Sequence, residues 1–348
     1  MKKFTLFLFA FFLSFIIFME KIASGENVRE NWPIQKQDVS YKKIILKALM
    51  KWKEDGLTLV DLDKIKHNPK GLYAYYRNNS YNPKETDNLR FDSSGIPMWK
   101  RGNLFFYHPV GLAQFALKYY GVYILSGDKK AANDFLKIAN KLLQIQEKNG
   151  AIPYGFPFLY YLTNQTYEPG WVSAMAQGQV LSTFSRAFYL TEDTKWLNAC
   201  EMTFRFLVTP KENGGVLTDL SDLDPSLKNY VYFEEYLSSP NNYTLNGYMF
   251  ALLGIYDWLK LCEEINYPSA EILYYWQEGI KTLKKILPLY DVGGMSAYDL
   301  GHYTFLGKNP NISVIYHRVH IWLLKAINSI VEDEYFDIIA GKWAEYVM

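Results

Sequence analysis

Four short stretches concentrate carboxylates, tyrosines and histidines. They are Phe105-Phe106-Tyr107-His108-Pro109, Glu168-Pro169-Gly170-Trp171, Phe233-Glu234-Glu235-Tyr236 and Ser296-Ala297-Tyr298-Asp299-Leu300-Gly301-His302, the last leading into Tyr316-His317-Arg318-Val319-His320. A carboxylate beside tyrosines can move protons. The carboxylate serves as a general base; a tyrosine, with an ordinary pKa of about 10, donates directly or accepts once a neighbour lowers that value. Glycoside hydrolysis normally uses two carboxylates across the scissile bond, and here only Glu235 stands out, with Asp299 a weak second. His317 and His320 stand three apart at a helix start, a spacing compatible with metal. No third ligand is evident, so helix-terminal hydrogen bonding is expected of them and no metal is assigned. The Asn-Gly pairs read as turns, and no phosphate loop or dinucleotide fingerprint is present.

These stretches recur because the elements that carry them recur. A helix is expected over 41–52, then short extended segments and turns over 71–106, where aromatics alternate with Asn-Asn, Asn-Pro and Ser-Ser-Gly. Beyond Pro109 the chain reads as helical hairpins: 110–125 with a partner ending at Asn149-Gly150, 173–190 with a partner running toward Asn213-Gly214, 243–260 with 269–287, and 313–330 with 332–347. In the first two, Ser126-Gly127-Asp128 and Thr191-Glu192-Asp193 supply the cap of the second helix. Four hairpins in succession predict a mainly α fold, an incomplete α/α toroid with a small β-containing N-terminal elaboration. An open helical solenoid is the alternative. In a toroid the loops entering the inner helices converge at one mouth, where a cleft belongs. The expected organisation is a signal peptide over 1–24, an extension over 25–105 and the toroid over 106–348.

Composition agrees with a polar ligand. Among 348 residues there are 29 Tyr, 22 Phe and 9 Trp, so many rings carry a hydrogen-bonding end. Lys and Arg number 37 against 36 Asp and Glu, which disfavours nucleic acid as a partner. Lys2 and Lys3 precede an uncharged run from Phe4 to Met19, followed by Ile22-Ala23-Ser24-Gly25. That pattern predicts export, to the periplasm or beyond the cell, with no membrane contact after cleavage. A retained N-terminal anchor is the alternative. Cys200 and Cys262 show no metal spacing, and nothing fixes whether they pair.

The stretches Pro169-Gly170-Trp171-Val172-Ser173-Ala174-Met175-Ala176-Gln177-Gly178-Gln179, Glu234-Glu235-Tyr236, Leu245-Asn246-Gly247-Tyr248, Leu287-Pro288-Leu289-Tyr290-Asp291, Tyr298-Asp299-Leu300-x-His302 and Tyr316-His317-x-x-His320 resemble the D-glucuronyl C5-epimerases of heparosan-type polysaccharides. The resemblance spans roughly residues 100 to 345. Animal members carry a β-barrel domain between the Phe-Tyr-x-Pro segment and the later hairpins; here these are nearly contiguous, which implies a shorter form with the helical catalytic domain largely alone. The resemblance implies epimerisation of D-glucuronate to L-iduronate within an acidic polysaccharide, without a cofactor, by an enzyme that could form a homodimer. It places catalysis on Glu235, Tyr236, Tyr298 and Tyr316. One departure is visible: the family's Asp-Leu-Arg-His stands here as Asp299-Leu300-Gly301-His302, and Arg318 is the expected replacement cation.

Inverting C5 removes a proton α to a carboxylate and returns one on the opposite face. Glu235 and Tyr316 are assigned to the two faces, with Tyr236 and Tyr298 stabilising the enolate-like intermediate. Of the adjacent Glu234 and Glu235, Glu234 is expected to be a solvated or structural charge. His302 either contacts substrate or has a structural role. Gln177, Arg186 and Asn246 either touch sugar hydroxyls or satisfy a polar core. Lys100, Arg101 and Tyr107 either bind the acidic chain or form a solvated loop. The same proton abstraction could instead serve a polysaccharide lyase, and a non-catalytic glycan-binding protein is the rival of a different class.

Overall fold

A computed structural model describes residues 41–59, 61–73 and 84–348, so the expected signal peptide over 1–24 lies outside the described residues. Helix α1 (Lys42–Glu54) is followed by an antiparallel three-stranded sheet of β1 (Leu89–Phe91), β2 (Pro97–Arg101) and β3 (Leu104–Phe106). Four helical hairpins follow. They are α2 (Pro109–Ser126) with α3 (Lys129–Ile145), α4 (Ala174–Thr191) with α5 (Lys195–Leu207), α6 (Leu245–Glu264) with α7 (Ala270–Tyr290), and, after the one-turn α8 (Gly301–Thr304), α9 (Val314–Val331) with α10 (Glu334–Glu345). Between hairpins lie two small ribbons, β4 (Phe158–Leu159) with β5 (Thr166–Tyr167) and β6 (Leu217–Asp219) with β7 (Val231–Phe233).

The first helices of the hairpins form an inner row, α2 against α4, α4 against α6 and α6 against α9, and each carries its partner on the outside. The arrangement is an incomplete α/α toroid. Burial follows from it: α4 is buried continuously from Ala174 to Ala187, as a helix flanked on all sides must be. Close approach of α4 and α6 depends on glycine. A Cβ on Gly178 would stand 2.9 Å from Ala251 N, and one on Gly254 2.6 Å from Gly178 Cα.

Local chemistry sets the hairpin geometry. Pro109 opens α2 while the His108 ring accepts from Gly111 N at 3.1 Å. Gly127 closes α2 at φ 72°, and Asp128 caps α3 by accepting from Lys130 N at 2.8 Å. Helix α3 stops at Ile145, four residues before the expected Asn149. There Gln146 turns extended and its amide donates to Ala199 O and Thr203 Oγ1 of α5, which the helical path would not allow.

Residues 41–348 form one compact unit. Within it α1 buries Ile45, Ala48 and Trp52 against Val292, Met295, Ala297 and Val314, at the entrance to α9. Among the described residues no helix is long and apolar enough to cross a membrane.

Candidate active site

The loops that enter α4, α6 and α9 are tied together by backbone bonds. Ala174 N donates to Glu234 O at 2.9 Å, Leu245 N to Tyr298 O at 3.0 Å, and Tyr298 N to Asn311 O at 2.7 Å. Residues 62 and 63 apart in sequence thereby meet in one cluster. The Tyr298 hydroxyl donates to Glu235 Oε1 at 3.3 Å, and the Tyr236 and Tyr298 hydroxyls lie 3.3 Å apart. The Tyr298 and Tyr316 rings pack with centroids 4.5 Å apart. Asn246, in the first turn of α6, donates to Glu235 Oε2 at 3.5 Å. Gly247 makes room: a Cβ there would come within 2.8 Å of Glu235 Cβ and closer still to Oε2.

Electrostatics distinguishes the acid from the tyrosines. Burial pushes the Glu235 carboxyl up, and the Asp299 charge adds to it, while hydrogen bonds from Tyr236 and Tyr298 pull back; the balance is a pKa of about 7. Burial, reinforced by the Glu235 charge, holds Tyr236 and Tyr298 well above the ordinary phenol value. At neutral pH the site therefore holds one carboxyl poised between its two states among protonated hydroxyls. Tyr316 is 36% exposed, in contrast to the buried Glu235 and Tyr298.

Other expected residues are placed elsewhere. Arg186 is drawn into a fully buried ion pair with Asp257 at 2.6 Å and also donates to Asn68 O and Ser182 O. It lies twelve residues along α4 from Ala174, about 18 Å at the helical rise, so it satisfies the core and not a sugar. Gln177 spans the turn after α3, accepting from Ile152 N and donating to Gly150 O. The Tyr107 hydroxyl donates to Asp92 Oδ2 at 2.7 Å and its ring lies under Lys141, away from the cluster. Arg318 stacks on Trp322 at 4.8 Å. Two residues on from Tyr316 puts it roughly 200° round α9, so it does not replace the missing arginine. Glu234 is not solvated: it is fully buried, and burial raises its pKa well above the carboxylate range. His302 is buried on α8 with its ring edge-on to Tyr41. Lys100 pairs with Phe105 across β2 and β3, and Arg101, exposed at the end of β2, lies over the Phe156 ring at 5.0 Å.

His317 and His320 both bond Ser296 Oγ through Nδ1 at 2.9 Å, and His317 Nε2 is 3.0 Å from Trp343 O. These bonds tie the start of α9 to the Ser296 loop and to α10. Among the described residues no group of His, Cys, Asp and Glu is placed to hold a metal ion. Cys200 and Cys262 are free, buried thiols.

Sequence reasoning singled out Trp171 and Tyr236 but missed the rings packed on them. Tyr154 stacks on Trp171 at 3.7 Å, Trp171 lies 5.2 Å from Phe158, and Phe158 stacks on Tyr236 at 5.3 Å. It also missed Tyr161, whose hydroxyl bonds Asp299 Oδ2 and receives from Asn242 Nδ2 at 3.2 Å. The alternation Phe156-x-Phe158-x-Tyr160 was the available signal for Phe158; nothing local signals Tyr154 or Tyr161. The same hairpin fills the space of the missing arginine: a Cβ on Gly301 would meet Leu162 Cδ1 at 2.9 Å and Asp299 Oδ1 at 2.8 Å.

A family model described as D-glucuronyl C5-epimerase C-terminus matches residues 146–345. The chain is 34% identical over 186 residues to the D-glucuronyl C5-epimerase of Caenorhabditis elegans, a match covering 51% of this chain and 29% of that protein. It is 30% identical over 206 residues to an uncharacterized protein of Methanocaldococcus jannaschii, covering 58% and 60%. The chain thus spans less than two thirds of either relative. Similar solved structures include a family 76 glycoside hydrolase from a bovine Bacteroides thetaiotaomicron strain, with a TM-score of 0.45 at 13% identity over 71% of this chain and 49% of that one. Another is an unsaturated glucuronyl hydrolase from a Streptococcus, with a TM-score of 0.39 at 14% identity over 68% and 56%.

Proposed function

The chain belongs to the D-glucuronyl C5-epimerase C-terminal family, and on that premise we propose that it converts D-glucuronate to L-iduronate residues within a heparosan-like polysaccharide. The observation that carries this reading is the Glu235 cluster, one carboxyl poised near neutrality with Tyr298 bonded to it and Tyr236 and Tyr316 beside Tyr298.

The chemistry assigned to it balances. Ionised Glu235 takes the C5 proton, and the C–H electron pair moves into the uronate carboxylate to give an enolate-like dianion. Protonated Tyr236 and Tyr298 donate hydrogen bonds to that developing charge; such donors, fixed in a low-dielectric site, act where charge appears. Tyr316 returns a proton to C5 from the opposite face. Glu235 ends protonated and Tyr316 as phenolate, and exchange with solvent at the open side resets both. The raised tyrosine pKa values suit donors, and the value near 7 suits a base.

The test is incubation with unsulfated and N-sulfated heparosan in heavy water, followed by NMR of the uronate signals. Deuterium at C5 and new iduronate signals without chain cleavage are expected. An ultraviolet-absorbing unsaturated product would indicate β-elimination, and neither exchange nor cleavage on either polymer would overturn the reading. Tyr316→Phe should abolish exchange; normal exchange in that variant would remove Tyr316 from the mechanism.

A further inference from the structure

Among the described residues no cation pairs with Glu235. The groups acting on the Glu235 carboxyl are Tyr236, Tyr298, Asn246 and Asp299; Arg186 is committed to Asp257, Arg318 is turned away, and position 301 is glycine filled over by Leu162. The cation adjoining the aromatic wall is Arg101. It comes from β2, outside the helical hairpins, and is an exposed residue. It is held at 5.0 Å over the Phe156 ring and by a 3.0 Å bond to Lys100 O, and no carboxylate pairs with it among the described residues. Phe156 continues edge-on into Trp171 at 6.2 Å, and the Trp171 ring runs stacked toward Tyr236 at 6.4 Å. Tyr154 stacks on Trp171 at 3.7 Å, and the charges of Arg101 and Glu235 both act on its hydroxyl. Phe156 and Tyr154 are buried, while Phe158, Trp171 and Tyr236 are half-buried. Half-buried aromatic faces carry sugar rings, and a guanidinium presents a planar fork that matches a carboxylate or sulfate.

We infer that Arg101 is the anion-reading residue of a flanking subsite, binding the carboxylate or sulfate of a sugar displaced along the chain from the uronate at Glu235. This rests on the proposed epimerase reading and names a specificity determinant within it. The β elaboration thereby supplies recognition while the toroid supplies proton transfer.

The experiment compares wild type, Arg101→Gln and Arg101→Lys by C5 deuterium exchange. The substrates are unsulfated and N-sulfated heparosan oligosaccharides, with a minimal oligosaccharide carrying one uronate and no sulfate as control. For Arg101→Gln the expected result is a KM raised about tenfold on the longer chains, the loss of one charge-assisted contact. Its kcat should stay within about twofold and the minimal substrate should be unaffected; Arg101→Lys should recover part of the loss. A penalty already present on unsulfated chains identifies the carboxylate, and one confined to N-sulfated chains identifies the sulfate. Unchanged KM on every long substrate overturns the inference, as does an equal penalty on the minimal one. If wild type exchanges nothing, the epimerase reading fails; calorimetric binding of the same oligosaccharides then decides Arg101 separately, equal affinity of wild type and Arg101→Gln overturning it.

Discussion

The Tyr161 hydroxyl is hydrogen-bonded to the Asp299 carboxylate, fastening the loop between β4 and β5 to the residue that follows Tyr298. The same loop edges the Tyr161 ring against Tyr236 at 6.3 Å and Tyr298 at 6.4 Å. Tyr161→Phe keeps the ring and removes both polar contacts. Asp299 retains Gly301 N at 2.7 Å and Asn311 Nδ2 at 3.3 Å, so the fold should survive. C5 exchange should fall about tenfold as the tyrosines lose their fixed positions, with KM changed less than kcat. Exchange at the wild-type rate would show that this fastening does nothing for the cluster.

Gly247→Ala probes the space that Glu235 occupies. The new Cβ would collide with Glu235 Cβ and its carboxylate, and a displacement of about 1 Å at a reacting group costs on the order of 100-fold in rate. Exchange should drop by about that factor while circular dichroism remains that of the wild type. A fully active Gly247→Ala variant would mean that Glu235 is not the base.

The pH profile follows from Glu235. Its pKa is raised to about 7, burial being the main cause, so the ionised fraction falls tenfold for each pH unit below 7. The kcat/KM for C5 exchange should rise with pH through a midpoint near 7. Stability runs the other way: the folded protein holds this proton between about pH 4.5 and 7 while the unfolded chain releases it, so stability falls as pH rises across that window. Glu235→Gln should abolish exchange and raise Tm at pH 8 but not at pH 5. An acid limb centred near 4.5 would contradict the assignment.

The hairpins were legible because their signals are local. Asp128, Gly127 and Pro109 act on backbone groups within four residues, and the inner helices are long apolar runs. That the loops carrying Glu235, Tyr236, Tyr298 and Tyr316 converge was legible from the hairpin repeat, but the choice of these residues within loops 63 residues apart came through motif resemblance. Arg318 could have been placed by its turn on the helix relative to Tyr316. Tyr154 and Tyr161 could not: they lie in irregular chain, and Tyr161 meets Asp299 across 138 residues. Arg186 fails for the same reason, because its partner is 71 residues away and both are buried.

That buried pair yields the test separating fold from function. Burial alone would raise the Asp257 pKa, but Arg186 and His67 outweigh it and hold the carboxyl at about 2. His67 Nε2 stands 2.6 Å from Asp257 Oδ1 and Arg186 Nη1 2.6 Å from Oδ2. A carboxylate with a depressed folded pKa contributes stability above its unfolded value near 4, and that contribution disappears as pH falls toward 2. Arg186→Ala removes one partner and leaves a buried charge, which costs about 3–5 kcal/mol. Denaturant titration at pH 7 should show a loss of that size, and the difference between variant and wild type should shrink as the medium is acidified from pH 4 toward 2. Below the melting range the surviving folded fraction should exchange C5 protons within about twofold of wild type, with unchanged KM. If KM rises instead while stability does not move, Arg186 contacts the polysaccharide and its pairing with Asp257 is not its function.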